Sequence, residues 1–226
     1  MTKDDGFLHF LKIFVEVRIF NIKDFFRTVW NYYRDIDFAK LDLSLLLRYF
    51  WESPYSINRK LHLELYGETP LVTMEKIAVE AQITSRDTVY ELGCGRGRCA
   101  FWLSHFRGCK TVGIEYNPIF VEKANRLKGR FHDEKTSFIL GDMRKVDLRD
   151  ATCIYLYGTL LSDEDIHTLI EKFSALKKGT RIITISYALN EYATSTRFLV
   201  RKEFEVEFSW GKTSAFLQEA KGKDEG

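Results

Sequence analysis

Cysteine is scarce and unpaired in this chain of 226 residues. Its four cysteines, Cys94, Cys99, Cys109 and Cys153, form no C-x-x-C pair. That spacing excludes a zinc ribbon or a redox dithiol, and it leaves buried, reduced thiols as the reading. The five histidines show no metal-ligand spacing and no H-E-x-x-H, so no metal is expected, and no G-x-S-x-G elbow signals a hydrolase. Neither sign of charge dominates. With 34 basic and 32 acidic residues the net charge is +2, which argues against a broad nucleic-acid surface. No signal peptide is read at the start, and a cytoplasmic setting is expected. Long apolar runs are missing too: residues 7–20 are interrupted by Lys12, Glu16 and Arg18, and at about 1.5 Å per residue that run is too short to span a bilayer. Internal repeats and low-complexity segments are also absent. The length suits one α/β domain plus an extension.

Against this background one stretch is dense with information, Asp87-Thr-Val-Tyr-Glu-Leu-Gly-Cys-Gly-Arg-Gly-Arg-Cys99. Val89, Tyr90 and Leu92 read as a buried strand, and Gly93, Gly95 and Gly97 allow a sharp turn with a ligand against the backbone. Residues 98–106 then carry apolar side chains at helical spacing. A dinucleotide site requires G-x-G-x-x-G, whose third glycine lets the helix pack on the strand. Arg98 occupies that position, so the pattern fails. Glu91 would repel a pyrophosphate and attract a cation. S-adenosylmethionine (SAM), with an ammonium, a sulfonium and no phosphate, suits these residues better. Two further strand ends add acids. Lys110-Thr-Val-Gly-Ile-Glu115 places Glu115 to hold a ribose diol, and Ser137-Phe-Ile-Leu-Gly-Asp142 places Asp142 to accept from an adenine amino group.

The three prolines each follow a residue able to cap a helix, Ser53, Thr69 and Asn117, so helices are expected to begin near residues 54, 70 and 118. The helix at 118 should turn Phe120, Val121, Ala124 and Leu127 inward. Residues 152–157 form a fourth strand, and Ser162 opens a helix whose first-turn acids, Asp163, Glu164 and Asp165, serve capping. That helix should close at Lys177-Lys178-Gly179. Residues 181–186 form a fifth strand, followed by a short linker at 190–200. Residues 204–208 and 213–217 then alternate apolar and polar around a turn at 209–212, which reads as a hairpin. Three N-terminal helices are expected, at 7–20, 22–33 and 41–50. They pack on the main domain or a second subunit, or lie on a membrane surface through residues 1–40; these alternatives stay open.

Glu91-Leu-Gly-Cys-Gly-Arg-Gly97, Gly113-Ile-Glu115 and Gly141-Asp142 resemble motif I, the following acid and the motif II acid of the class I, seven-strand SAM-dependent methyltransferases. The resemblance covers residues 67–220, leaving 1–66 as a helical extension and 221–226 as a polar tail. It implies an α/β, Rossmann-like, mostly parallel seven-stranded sheet ending in an antiparallel hairpin. Tyr66-Gly-Glu-Thr-Pro70 and Phe208-Ser-Trp-Gly-Lys-Thr213 are similar to segments of the ATP-synthase c-subunit lysine methyltransferases and, more distantly, of the non-SET histone-lysine methyltransferases. Carried over, Tyr66, Glu68 and Thr69 would cover the methionine end of SAM. The Asn/Asp-Pro-Pro-aromatic motif of exocyclic-amine methyltransferases is replaced by Tyr155-Leu-Tyr157-Gly-Thr159. Tyr155 reads as core. Tyr157, at the strand tip where open sheets place ligands, reads as a wall of the acceptor channel, and Trp210 divides evenly between structural and functional roles. Three functions remain open: methyl transfer to a protein side chain such as lysine, methyl transfer to a small molecule or lipid, and SAM binding without turnover.

Overall fold

A computed structural model describes residues 3–51, 68–192 and 197–222. Five parallel strands form its centre: β1 (Thr88–Leu92), β2 (Lys110–Glu115), β3 (Thr136–Leu140), β4 (Cys153–Leu156) and β5 (Arg181–Ile185). Two antiparallel strands, β6 (Phe198–Phe208) and β7 (Gly211–Ala220), complete a seven-stranded sheet of order β3-β2-β1-β4-β5-β7-β6. The order reverses between β1 and β4, which opens a crevice beyond their C-terminal ends. β4 is buried along its whole length, and β1 and β5 at all but their first residue, because helices cover both faces.

Side-chain alternation divides the core into two. Tyr90, Leu92, Ile154, Leu156 and Ile182 face α6 (Asp163–Ser174), which lays Ile166, Leu169, Ile170 and Phe173 on them. Val89, Tyr155, Ile183 and Ile185 face the other way, onto Leu71, Met74 and Ile77 of α3 (Leu71–Glu80) and Trp102 of α4 (Arg98–Trp102). α5 (Pro118–Arg130) buries Phe120, Val121, Ala124 and Leu127 as expected, with the Asn117 side chain accepting from Ile119 N. Ser162 caps α6 by accepting from Asp165 N.

Several expectations need correction. The helix expected over 98–106 is α-helical only to Trp102 and continues as a π-turn, Leu103–Arg107, before Gly108 stops it in a left-handed conformation. The helix opened by Ser162 ends at Ser174, short of Lys177. The hairpin is longer than its alternating segments suggested, because residues 198–203 pair with 216–220 across a bulge between Val200 and Lys202. The linker before it holds a three-residue 3-10 turn, Leu189–Glu191.

At the N-terminus the two helices expected at 7–20 and 22–33 are one, α1 (Lys3–Tyr32). Asn21 lies between the two expected segments, and a single asparagine costs a helix interior well under about 1 kcal/mol. α2 (Ile36–Trp51) starts earlier than expected, with Asp35 Oδ1 accepting from Phe38 N at 3.0 Å. The helix start expected at residue 54 lies outside the described residues. Among the described residues no helix is long and apolar enough to cross a membrane. Tyr32 meets the Trp102 ring at 5.7 Å, and Phe38 meets Phe106 at 4.8 Å. Beneath these rings Asp42, fully buried, receives Arg98 Nε at 2.7 Å and Arg98 Nη2 at 2.9 Å. Asp42→Ala would strand a buried guanidinium. It is expected to lower unfolding free energy by about 3–5 kcal/mol in urea titration, and a loss below about 1 kcal/mol would mean the pair does not hold these helices in place.

Candidate functional site

The glycine loop is bound to the tip of β2. Gly93 N and Cys94 N both donate to Ile114 O, at 2.8 and 3.0 Å, and Gly95 N donates to Glu115 Oε2 at 3.0 Å. The other oxygen of Glu115 accepts from Asn117 N at 2.9 Å. Gly97 has φ +77°, and a Cβ there would lie 2.3 Å from the Phe138 ring, so both conformation and space require glycine. Gly113 is constrained by space alone, since a Cβ there would meet Cys94 Sγ at 2.6 Å. Cys94 is thus a packed loop residue, in keeping with the sequence expectation.

Glu91 sits beside Tyr155 and Gly113 in the sheet register, on the face covered by α3 and α4. It is buried, and its Oε2 has no hydrogen-bond partner. Burial pushes its carboxyl up to about 8; a hydrogen bond from the Ala100 backbone opposes this, while Glu68 and Glu115 add to it. A recess of about 20 Å³ opens on this group, lined by Glu68, Thr69, Gly93, Gly95, Tyr155 and Tyr157 among others. Thr69 does not cap α3. Pro70 is the N-cap residue and offers no side-chain bond, while Thr69 Oγ1 lies 2.6 Å from the Tyr155 hydroxyl. A buried tyrosine hydroxyl needs a partner, and that need outweighs the cap. Glu68 pairs with Arg96 of the glycine loop, and Glu68 and Thr69 both line the recess.

Asp142 stands beyond β3, with both carboxylate oxygens on Arg144, which also reaches Asp165 at 2.5 Å. Arg144 holds the Asp142 carboxyl down to about 2. Tyr155 is core, as expected. Tyr157 is half-buried just past β4, stacked on Phe208 at 5.0 Å, and its hydroxyl accepts from Trp210 Nε1 at 2.6 Å. Phe208 stacks in turn on Trp210 at 5.4 Å, which gives the hairpin turn its place at the site. Tyr66 lies outside the described residues. The site also contains Arg96 and Arg98, which the sequence reading did not select. Their partners, Glu68 and Asp42, stand 28 and 56 residues away, beyond the reach of any local motif. Among the described residues no cluster of His, Cys, Asp or Glu could hold a metal ion.

Comparison with known proteins agrees with this geometry. Residues 91–196 match the model of the ANTKMT methyltransferase domain. A protein-lysine N-methyltransferase of Saccharolobus islandicus is 28% identical over 131 residues, which is 55% of this chain and 77% of that one. A sterol 24-C-methyltransferase of Kluyveromyces lactis is 31% identical over 111 residues, 49% of this chain. The matched segment spans only 30% of that sterol enzyme's length. Among solved structures, an RNA methyltransferase from Salinibacter ruber in complex with S-adenosylhomocysteine superposes on 70% of this chain and 96% of its own. Its TM-score is 0.57 at 22% identity, a likeness of fold. The chain carries a class I methyltransferase domain. Its sheet is the mostly parallel, seven-stranded one of that class, and its cofactor is SAM.

The residues present suit that cofactor. The unpartnered Glu91 oxygen offers an acceptor to a cation. A raised acid favours the protonated fold, so its contribution to stability is present below the ordinary carboxylate range and is lost as pH rises toward about 8. Glu91→Gln is therefore expected to melt with a flatter pH dependence than wild type between about pH 5 and 8. Parallel curves would show that Glu91 is ionised in the free protein.

Proposed function

We propose that this chain transfers a methyl group from SAM to a protein amine, the side chain of a lysine. The observation that carries the cofactor half is the buried Glu91 carboxyl, orphaned at Oε2 beneath a glycine loop. In this reading Glu91 faces the ammonium of SAM and Glu115 holds the ribose diol. Asp142 accepts from the adenine amino group, while Glu68 and Thr69, with Tyr66, cover the methionine end. Tyr157 walls the acceptor channel. SAM brings a methyl group on a sulfonium leaving group, so the chain has mainly to orient the acceptor. Residues 67–220 form the methyltransferase domain in this assignment, with 1–66 an N-terminal extension from which Tyr32 and Phe38 pack on that domain, and 221–226 a polar tail. Support for a lysine acceptor comes from the lysine methyltransferase relative, of which 77% is matched. Four free, buried cysteines suit a reducing cytoplasmic setting. The sterol methyltransferase match favours a second reading, a lipid acceptor.

Incubation with methyl-labelled SAM and a lysate, followed by separation of protein, lipid and small molecules, tests the acceptor. Label recovered as methyl-lysine supports the proposal, and label confined to lipid replaces it with the second reading. SAM and S-adenosylhomocysteine should raise the melting temperature, and NAD should not.

The two strand-tip acids should contribute unequally. Glu115 is buried, and each bond a ribose hydroxyl gives it is charge-assisted, about 1.5–3 kcal/mol before water replaces it. Asp142 already has Arg144 on both oxygens. Glu115→Ala should therefore weaken S-adenosylhomocysteine binding more than Asp142→Ala in calorimetry, and equal losses would contradict these assignments.

A further inference from the structure

A cavity of about 390 Å³ lies beneath α1 and shares Glu68 and Arg98 with the recess at the glycine loop. Phe20, Phe25, Leu46 and Pro70 supply apolar wall, and Asp24, Glu68, Arg96 and Arg98 supply charge. Both arginines are committed, Arg96 to Glu68 and Arg98 in bidentate fashion to Asp42. Asp24 has no such partner. Its side chain is 13% exposed, its closest cation is Arg98 at 3.9 Å, and its Oδ1 is buried without a hydrogen bond. Among the described residues Asp24 is thus a lining carboxylate with no hydrogen-bonded guanidinium, and one of its oxygens is unbonded. Burial pushes the Asp24 carboxyl up; Arg98 and Arg27 oppose this, and Glu68 and Asp42 add to it.

An uncharged guest without a donor would leave this carboxyl oxygen unpaired, and an anion would add repulsion. A primary alkylammonium meets both needs. Its three N–H donors can satisfy Asp24, and its methylene stem can lie along Phe20, Phe25, Leu46 and Pro70. Resting on the methyltransferase reading above, we propose that this cavity is the acceptor chamber, that it takes the ammonium end of a lysine side chain, and that Asp24 of the N-terminal helix is the counter-charge.

The test uses the full chain saturated with S-adenosylhomocysteine, titrated calorimetrically with Nα-acetyl-lysine methylamide and with its norleucine analogue, which lacks the amine. The lysine compound should bind and the norleucine compound should not. Asp24→Asn should weaken the lysine compound by about 30-fold or more, with S-adenosylhomocysteine affinity unchanged. Should Asp24→Asn fail to fold, Leu46→Trp fills the same space without touching the ion pairs and should abolish binding likewise. Equal affinity for the two compounds, no binding of either, or an Asp24→Asn protein that binds lysine as wild type does, would overturn the proposal and leave the cofactor reading standing. Wild-type protein that fails to bind S-adenosylhomocysteine would instead remove the methyltransferase reading itself.

Discussion

The pair between Arg98 and Asp42 is the constraint on which the site's architecture depends. Arg98 stands where a dinucleotide fold would place its third glycine, and at that point the helix must pack closely on the strand. Here a guanidinium fills the position, buried, and water cannot reach it to satisfy its donors. Asp42 of α2 does so, and Asp24 of α1 contributes from 3.9 Å. A buried ion pair is a poor source of net stability, but it is intolerant of alternatives, because removing either member leaves the other uncompensated. The residue that breaks the dinucleotide pattern therefore also decides where the N-terminal helices rest. Once they rest there, Tyr32 and Phe38 close on Trp102 and Phe106, and the cavity beneath α1 has its roof.

Three strand tips carry an acid, and the fold gives each a different environment. Glu91 is buried and half-satisfied, which favours its neutral form. Glu115 is held by the amides of Gly95 and Asn117, which fix its orientation and couple it to the glycine loop. Asp142 is turned into a surface network with Arg144 and Asp165. Carboxylates at this density would repel a pyrophosphate, whereas a ligand bringing its own positive charge lowers the cost of ionising Glu91. The electrostatics and the loop geometry select the same kind of cofactor.

How much of this was legible follows from the range of each interaction. β1, its glycine loop and the acids at 115 and 142 could be read because strand period, turn chemistry and strand-end placement are local signals. The Asn117 and Ser162 caps were legible for the same reason. Thr69 misled because its position before Pro70 is a local cue for a cap, while its hydroxyl answers the buried Tyr155 hydroxyl, 86 residues away in sequence. The roles of Arg96, Arg98 and Asp24 are likewise non-local, and nothing in a single sequence marks one arginine as buried. Tyr157 falls between, since its strand-tip placement could be read but its stack on Phe208 and bond from Trp210 could not.

This division of range maps onto a division of the site. The cofactor side is built from β1 through β4, and those strands fall within residues 91–196 or just before, the segment that matches the methyltransferase family model. The outer walls come from the two ends of the chain. α1 meets the hairpin through Arg27 and Glu207 at 3.1 Å, α3 joins it through Thr73 Oγ1 to Glu207 O, and Trp210 reaches back to Tyr157. Changes in α1 or the hairpin can reshape the cavity without touching the glycine loop, because none of these contacts passes through residues 93–97. The relatives named for a lysine and for a sterol acceptor each match only about half of this chain.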